Sequence, residues 1–230
     1  MRFLATIFIV AATPTFACDI GNLLPQTRAA LPAPQILAIG SSSTAGIGAG
    51  GKQTSYPNQI APALSGTGIA PTVVARGIGG EKATGALARM RREIADTNPD
   101  LVLWQVGTND ANARLKPTDV AETIRNGVAI IRAAGADAIL IDPQYYPRIA
   151  NKPHYEEMAE MIDTVGLELC APVVDRFEEM RDSGNELPKL LARDRFHMST
   201  LGHRVLAESI AEEIQCALTG ECREEKDADR

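Results

Sequence analysis

Short runs of apolar residues alternate along this chain with longer segments in which apolar residues recur every three or four positions. The short runs are typical of buried strands, and the longer segments are typical of amphipathic helices. Within 84–97, for example, Leu87, Met90 and Ile94 fall on one helical face. The pattern predicts strands at 35–39, 71–75, 101–106, 136–141 and 172–174. It predicts helices at 55–64, 84–97, 117–134, 154–169 and 202–218.

The predicted strands are too apolar to leave one face in water. Strands that are buried on both faces form parallel sheets between layers of helices, so we expect an α/β fold with few possible topologies. The 230 residues fit a single domain, which we place at 35–220. Sites in such sheets form where loops leave the carboxyl ends of strands, which directs attention to the residues after the first three strands.

The N-terminus has the pattern of a signal peptide. Arg2 is followed by an apolar run at 3–12, by Pro14 and by an exit that ends in Ala17. Cleavage after Ala17 predicts a periplasmic or secreted protein. The chain then divides into a signal peptide at 1–17, a lead-in at 18–34, the folded domain and a charged tail at 221–230. A lipoprotein anchored at Cys18 and an uncleaved N-terminal helix remain as alternatives.

The four cysteines fit an oxidising compartment, in which disulfides form. Four cysteines allow three connectivities. The most local pairing joins Cys216 to Cys222 and leaves Cys18 to pair with Cys170. Free buried thiols are the alternative, and the lack of CxxC spacing argues against a zinc site.

Charge and composition exclude several classes of partner. The net charge is −6 and no basic block occurs, so we expect no nucleic-acid partner. No apolar stretch reaches the roughly 18 residues that span a bilayer, so we expect no transmembrane segment. The segment 46–51 fits the spacing GxGxxG, but no Asp or Glu follows between 52 and 80 to bind a ribose. We therefore expect no nucleotide cofactor.

Four polar or glycine-rich blocks follow strands or precede the last helix. Each alone is compatible with a helix cap, a turn or a structural histidine. Together they supply what acyl transfer needs: a serine, an imidazole base with a carboxylate partner, and N–H donors for an oxyanion. Asp194 and His197 are three residues apart, a spacing that lets the carboxylate reach one ring nitrogen on a tight turn. The blocks are Gly40–Gly46, Gly77–Glu81, Gly107–Asp110 and Asp194–His197.

In these blocks the sequence resembles the SGNH/GDSL hydrolase family (GDSL-like lipase/acylhydrolase). The resemblance implies a three-layer α/β/α sandwich with a five-stranded parallel sheet in flavodoxin-like order, and no metal or organic cofactor. It implies Ser42 as nucleophile, His197 as base and Asp194 as its partner. Ser42 N–H, Gly80 N–H and the Asn109 amide would form the oxyanion hole. The matching residues are Gly40, Ser42 and Gly46, then Gly80, then Gly107, Asn109 and Asp110, then Asp194 and His197.

The first block departs from the family pattern at two positions. Ser41 stands where the family has Asp, and Ser43 stands where it has Leu. The family's Asp supports the turn and does not attack the substrate. We therefore expect altered hydrogen bonding around the turn and an intact set of catalytic groups.

Together with the signal-peptide pattern, the resemblance implies a secreted serine esterase that hydrolyses a small-molecule or polysaccharide acyl ester through an acyl-Ser42 intermediate. Deacetylation of a polysaccharide is the narrower hypothesis. Tyr145, Tyr146 and His154 are candidates to line the substrate cleft, in a loop that could equally be a solvated surface, and His203 is expected to be structural. An O-acyltransferase, a lysophospholipase or thioesterase, and a non-enzymatic envelope protein that binds carbohydrate are the alternatives.

Overall fold

A five-stranded parallel sheet forms the centre of the fold, with strand order β2-β1-β3-β4-β5. The computed structural model describes residues 33–219, and side chains as far as residue 216. The order confirms the predicted parallel sheet and its flavodoxin-like arrangement. The strands are β1 (Gln35–Gly40), β2 (Thr72–Gly77), β3 (Leu101–Gln105), β4 (Asp137–Ile141) and β5 (Val173–Val174).

Helices cover the sheet and complete three layers. The helices are α1 (Tyr56–Ala63), α2 (Ala83–Thr97), α3 (Thr108–Asn112), α4 (Pro117–Ala133), α5 (Lys152–Glu168), α6 (Arg176–Asp182), α7 (Leu187–Leu190) and α8 (Thr200–Thr219). Two 3₁₀ turns lie at Lys52–Thr54 and Gly184–Glu186. Helix α1 packs against α8, and α4 packs against both α2 and α5.

Two expectations about the elements are wrong. Strand β2 is an edge strand whose residues are half-buried or exposed, so burial on both faces does not extend to it. His154 lies in the first turn of α5, which agrees with the predicted helix at 154–169 but not with its placement as a cleft residue in the loop before that helix. The pattern also missed α3, α6 and α7, because helices of 5, 7 and 4 residues are too short to show a helical period.

The pairing of Cys18 with Cys170, one of the possibilities that the sequence left open, does not form, because Cys170 carries a free thiol. Cys216 is disulfide-bonded, and its partner lies outside the described residues. The pairing of Cys216 with Cys222 therefore stays a prediction. The signal peptide at 1–17, nearly all of the lead-in and the tail at 221–230 also lie outside the described residues. Between residues 33 and 219, no helix has both the length and the apolar character needed to cross a membrane.

Close packing of α4 on the sheet depends on a glycine. Trp104 of β3 is fully buried. A Cβ placed on Gly127 of α4 would lie 2.2 Å from Cζ3 of this indole ring. Real carbon atoms do not approach so closely, so the helix sits on the ring only because position 127 has no side chain.

Helix α8 is tied to α1 through a buried histidine. His203 is 0% exposed and packs its ring parallel to that of Tyr56. Its Nδ1 accepts a hydrogen bond from the Tyr56 N–H at 3.2 Å, so the ring proton must be on Nε2, which faces the Ile47 carbonyl at 3.3 Å. Burial lowers the pKa of His203 to about 4, which keeps the imidazole neutral. The expectation of a structural role for His203 agrees with these contacts.

We expect Gly127→Ala to lower the free energy of unfolding. Overpacking lowers the free energy of unfolding by roughly 1–3 kcal/mol, whereas the higher helix propensity of alanine raises it by only about 1 kcal/mol. Thermal and urea unfolding of the variant measure the difference. Asn126→Ala, at an exposed site on the same helix, is the matched control and should leave stability unchanged or slightly raised. A Gly127→Ala protein as stable as this control would contradict the close contact with Trp104.

We expect His203 to make stability depend on pH. The unfolded chain protonates this imidazole near pH 6.5 and the folded chain only near pH 4, so wild-type stability falls as the pH drops through this window. The loss at pH 5 is roughly 2 kcal/mol. His203→Gln removes the titrating group. The amount by which the Tm of the wild type exceeds that of the variant should therefore be smaller at about pH 5 than at about pH 7.5. Parallel Tm curves for the two proteins would show that His203 does not titrate in this way.

Candidate active site

The loop after β1 (residues 41–51, the β1 loop) carries Ser42 in a tight turn over the end of the sheet. Ser42 is 7% exposed, and its carbonyl accepts the Ile47 N–H at 2.9 Å. The Ala45 N–H donates to the Ser41 carbonyl at 3.0 Å. The chain therefore reverses direction immediately after β1, and Ser42 lies at the carboxyl edge of the sheet.

Ser41 is held by a neighbouring strand. Its N–H and its hydroxyl both donate to Oε1 of Gln105, each at 2.9 Å. Both residues are 3% exposed, and Gln105 is the last residue of β3. The neutral side-chain amide of Gln105 therefore stabilises the turn through Ser41. Ser41 occupies the position at which the SGNH/GDSL family has an aspartate. Whether the bonding differs from that of the family's Asp stays a prediction.

Gly80 lies in the loop after β2, and Asn109 lies in the first turn of α3. Gly80 is exposed, and nothing lies within 4 Å of where its Cβ would be, so a ligand has room to approach its backbone. The Asn109 amide donates to the Glu81 carbonyl at 2.9 Å. Because the amide has two N–H groups, one bond fixes its orientation and a second donor remains.

The last residue of the third block, Asp110, fixes the loop after β2 (residues 78–82, the β2 loop). Its carboxylate is 1% exposed and accepts the Ala83 N–H at 3.0 and 3.2 Å. Ala83 is the first residue of α2, so Asp110 caps that helix from another part of the chain. Burial raises the pKa of Asp110, although backbone N–H groups, that of Ala83 first, act in the opposite direction.

A buried ion pair also holds the β2 loop. Arg89 of α2 donates to Glu81 through Nε at 2.8 Å and through Nη2 at 2.5 Å. Each side chain is 8% exposed, and Nη2 also donates to the Arg76 carbonyl at 2.9 Å. Arg89 thus connects β2 to the β2 loop, and together with Asp110 it fixes the part of the loop that follows Gly80.

Asp194 and His197 form a directly bonded pair. Asp194 Oδ2 lies 2.6 Å from His197 Nδ1, and Oδ1 accepts the N–H groups of Phe196 and His197, each at 3.0 Å. Because a carboxylate only accepts, Nδ1 carries the ring proton and Nε2 presents a lone pair. Partial burial acts to raise the pKa of Asp194, but the three hydrogen bonds outweigh it and lower the pKa below its ordinary value.

The loop that carries this pair (residues 191–199, the His197 loop) sits directly against the β1 loop. A Cβ on Gly48 would lie 2.2 Å from the Met198 carbonyl oxygen and 3.0 Å from Cβ of His197. Gly48 also has a φ of +90°, which favours glycine. The two loops touch because position 48 has no side chain. The structure thereby brings Ser42 and the Asp194–His197 pair to the same edge of the sheet.

The three residues predicted to line a cleft differ in their surroundings. Tyr146 is 7% exposed, donates to Asn112 Oδ1 at 2.6 Å, and packs edge-to-face on Phe196. Tyr145 is half-buried and packs edge-to-face on Phe177. His154 Nδ1 lies 3.7 Å from a Glu157 oxygen, and its buried Nε2 has no partner among residues 33–219. A substrate-lining role for the three remains a prediction.

Sequence reasoning missed two buried glutamines at this edge, Gln105 and Gln144. A polar residue inside the apolar run 101–106 was the available signal for Gln105. The block Asp142–Pro143–Gln144 closes β4 but contains no pattern that distinguishes it from an ordinary turn. Among residues 33–219, no group of three or more His, Cys, Asp or Glu side chains is placed to hold a metal ion.

Comparison with known proteins finds esterases among the relatives of this chain. An esterase named TesA from Pseudomonas aeruginosa is 29% identical over 130 residues, which are 55% of this chain and 63% of that protein. The chain spans less than two thirds of the length of the curated relatives it matches.

Two solved structures share the fold. A lipase/acylhydrolase from Enterococcus faecalis has a TM-score of 0.70 at 21% identity, covering 84% of this chain and 100% of that one. An acetyl-xylooligosaccharide esterase from Geobacillus Stearmophilus has a TM-score of 0.64 at 23% identity, covering 79% of this chain and 94% of that one. Residues 10–218 match the sequence profile of the Non-GDSL lipase-like family. This chain therefore belongs to the Non-GDSL lipase-like family, within the wider group of SGNH/GDSL-type lipases and esterases.

Proposed function

We propose that this chain is a serine esterase that hydrolyses carboxylic esters through an acyl-Ser42 intermediate. The observation that carries the proposal is the 2.6 Å bond between Asp194 and His197, on a loop that packs against the loop of Ser42. The carboxylate holds the imidazole in the tautomer that leaves Nε2 free to accept a proton, which is the requirement for activating a serine hydroxyl.

In the proposed reaction, Ser42 Oγ attacks the ester carbonyl carbon while His197 Nε2 takes the hydroxyl proton. The Ser42 N–H, the Gly80 N–H and the free Asn109 N–H stabilise the oxyanion of the tetrahedral intermediate. His197 returns the proton to the leaving alcohol as the ester C–O bond breaks. Water then attacks the acyl-serine, again giving a proton to His197, and the carboxylic acid leaves as Ser42 regains its proton.

Two exposed apolar side chains favour an alkyl group on the acyl side. Ile47 and Ile78 are 43% and 51% exposed, and they lie in the β1 and β2 loops that flank Ser42 and Gly80. Cδ1 of Ile47 comes within 3.3 Å of where a Cβ on Gly79 would be, so this side chain reaches across to the β2 loop. Among the described residues, the third large apolar side chain exposed to this degree is Leu167 on α5. We propose that Ile47 and Ile78 contact the acyl chain.

A second substrate candidate, which would not use the contact with Ile47 and Ile78, is an acetylated polysaccharide outside the cytoplasm. It is supported by the acetyl-xylooligosaccharide esterase among the structural neighbours and by the signal-peptide pattern at 1–17. On this proposal the protein is periplasmic or secreted. An acyl-chain series and an acetylated xylan assayed side by side distinguish this substrate from longer acyl esters, and added sugar acceptors reveal transfer in place of hydrolysis.

A fluorophosphonate probe tests the nucleophile directly. We expect the wild type to be labelled on Ser42, and Ser42→Ala to lose both labelling and hydrolysis of p-nitrophenyl acetate. Asp194→Asn should retain Ser42 but lose at least about 100-fold in kcat, because the imidazole is no longer held in the required tautomer. Ser65→Ala, an exposed serine in another loop, is the matched control and should be labelled like the wild type. Labelling that survives Ser42→Ala would disprove the assignment.

The acyl contact has its own test. We expect Ile47→Ser and Ile78→Ser to lower kcat/KM for p-nitrophenyl hexanoate about fivefold each, because each removes roughly 1 kcal/mol of apolar contact, and to leave the acetate ester within twofold. Leu167→Ser changes the same residue class at an exposed site on α5 and should change neither substrate. Equal losses on acetate and hexanoate would show that the two isoleucines do not contact the acyl chain.

A further inference from the structure

Gln144 connects the residue after the predicted nucleophile to the residue before the predicted base. It follows β4 and is 1% exposed. Its Oε1 accepts the Ser43 hydroxyl at 3.2 Å, and its Nε2 donates to the Phe196 carbonyl at 2.6 Å. One buried side chain thus joins the β1 loop to the His197 loop.

The orientation of this amide is fixed by its partners. The Phe196 carbonyl can only accept, so the NH₂ group must face it and the oxygen must face Ser43. Nη1 of Arg176 donates to the Ser43 hydroxyl oxygen at 3.1 Å, so that hydroxyl directs its own proton to Gln144. Arg176 is itself 1% exposed and is held by the Asp142 carbonyl. The result is a directional series of hydrogen bonds from Arg176 to the His197 loop.

The backbone of Gln144 is also fixed. Its N–H donates to the Thr108 hydroxyl at 3.4 Å, and its carbonyl accepts the Tyr155 hydroxyl at 2.9 Å. Thr108 directly precedes Asn109, the proposed oxyanion donor. The β1 loop, the His197 loop and the start of α3, which carries Asn109, therefore all contact Gln144.

The internal bonds of the His197 loop do not determine where it lies relative to Ser42. The Ala192 N–H donates to the His197 carbonyl at 2.7 Å, and the Arg195 N–H donates to the Ala192 carbonyl at 2.9 Å. These bonds, with the Asp194 cap, fix the shape of the loop. Its placement needs contacts from outside, and the bond from Gln144 reaches the backbone directly beside His197.

We propose that Gln144 is a positioning residue that sets the distance between His197 Nε2 and Ser42 Oγ by holding the Phe196 carbonyl. The proposal rests on the proposed esterase function, and Gln144 itself need not touch the substrate. Proton transfer from serine to imidazole needs hydrogen-bond geometry, so a small displacement of the His197 loop slows the chemical step more than it weakens binding.

Gln144→Met tests the proposal, because it keeps the length of the side chain and removes both hydrogen bonds. We expect kcat for p-nitrophenyl acetate to fall roughly 10- to 100-fold with KM within threefold, and fluorophosphonate labelling of Ser42 to slow in parallel. A value of kcat within twofold of the wild type would overturn the proposal, whatever happens to stability.

Gln144→Glu keeps the acceptor for Ser43 and answers the same question if the methionine variant does not fold. Its ionised form has no hydrogen to donate to Phe196, whereas its protonated form does. We expect a reduced kcat at about pH 8, with the ratio of variant to wild-type kcat constant or rising as the pH is lowered. A kcat within twofold of the wild type at about pH 8 would again overturn the proposal.

Gly127→Ala separates positioning from general destabilisation, because it disturbs packing between α4 and β3 and no residue assigned to the site. We expect it to lower Tm while kcat stays within twofold of the wild type. An equal loss of kcat at a matched Tm would overturn the positioning role. A wild type with no hydrolysis and no labelling would instead refute the proposed function, so the two failures are distinguishable.

Discussion

Parallel pairing in register is the constraint on which the rest of the structure depends. Gly40 at the end of β1 pairs with Gly77 at the end of β2, and Ile39 pairs with Trp104 near the end of β3. Three chain segments therefore leave the sheet at the same level and on the same side. Their loops contact one another without long insertions, and polar groups that are distant in sequence become neighbours.

Neutral side chains supply many of the hydrogen bonds that hold these loops in place. The amides of Gln105 and Gln144 and the imidazole of His203 are buried, and each bonds to backbone or hydroxyl groups of the β1 loop or its partners. A buried amide satisfies donor and acceptor needs without the desolvation cost of a charge. Of the charged groups at this edge, Arg89 and Glu81 are paired with one another, whereas Arg176 and Asp110 bond to uncharged carbonyl, hydroxyl and backbone N–H groups.

The sequence predicted the parts of the fold that have a periodic signature. The apolar runs located all five strands, and four blocks in order identified Ser42, Gly80, Asn109 and the Asp194–His197 pair as candidates. The contacts of Gln144 were not predicted, because they join segments that are far apart in sequence. Ser43 is 101 residues away in the chain and Phe196 is 52 residues away. The exposure of β2 was not predicted for a related reason. Whether a strand lies at the edge or in the centre of a sheet depends on the order of all the strands and not on the six residues of β2.

The residues proposed as acid and base, Asp194 and His197, come from one short stretch of backbone. Asp194 accepts the amide groups of Phe196 and His197 as well as the imidazole, so the carboxylate and the ring are held by the same turn that separates them in sequence. Such a unit keeps its internal proton arrangement when it shifts as a body. A displacement of this loop would therefore change the distance between the imidazole and Ser42 and leave the bond between Asp194 and His197 intact.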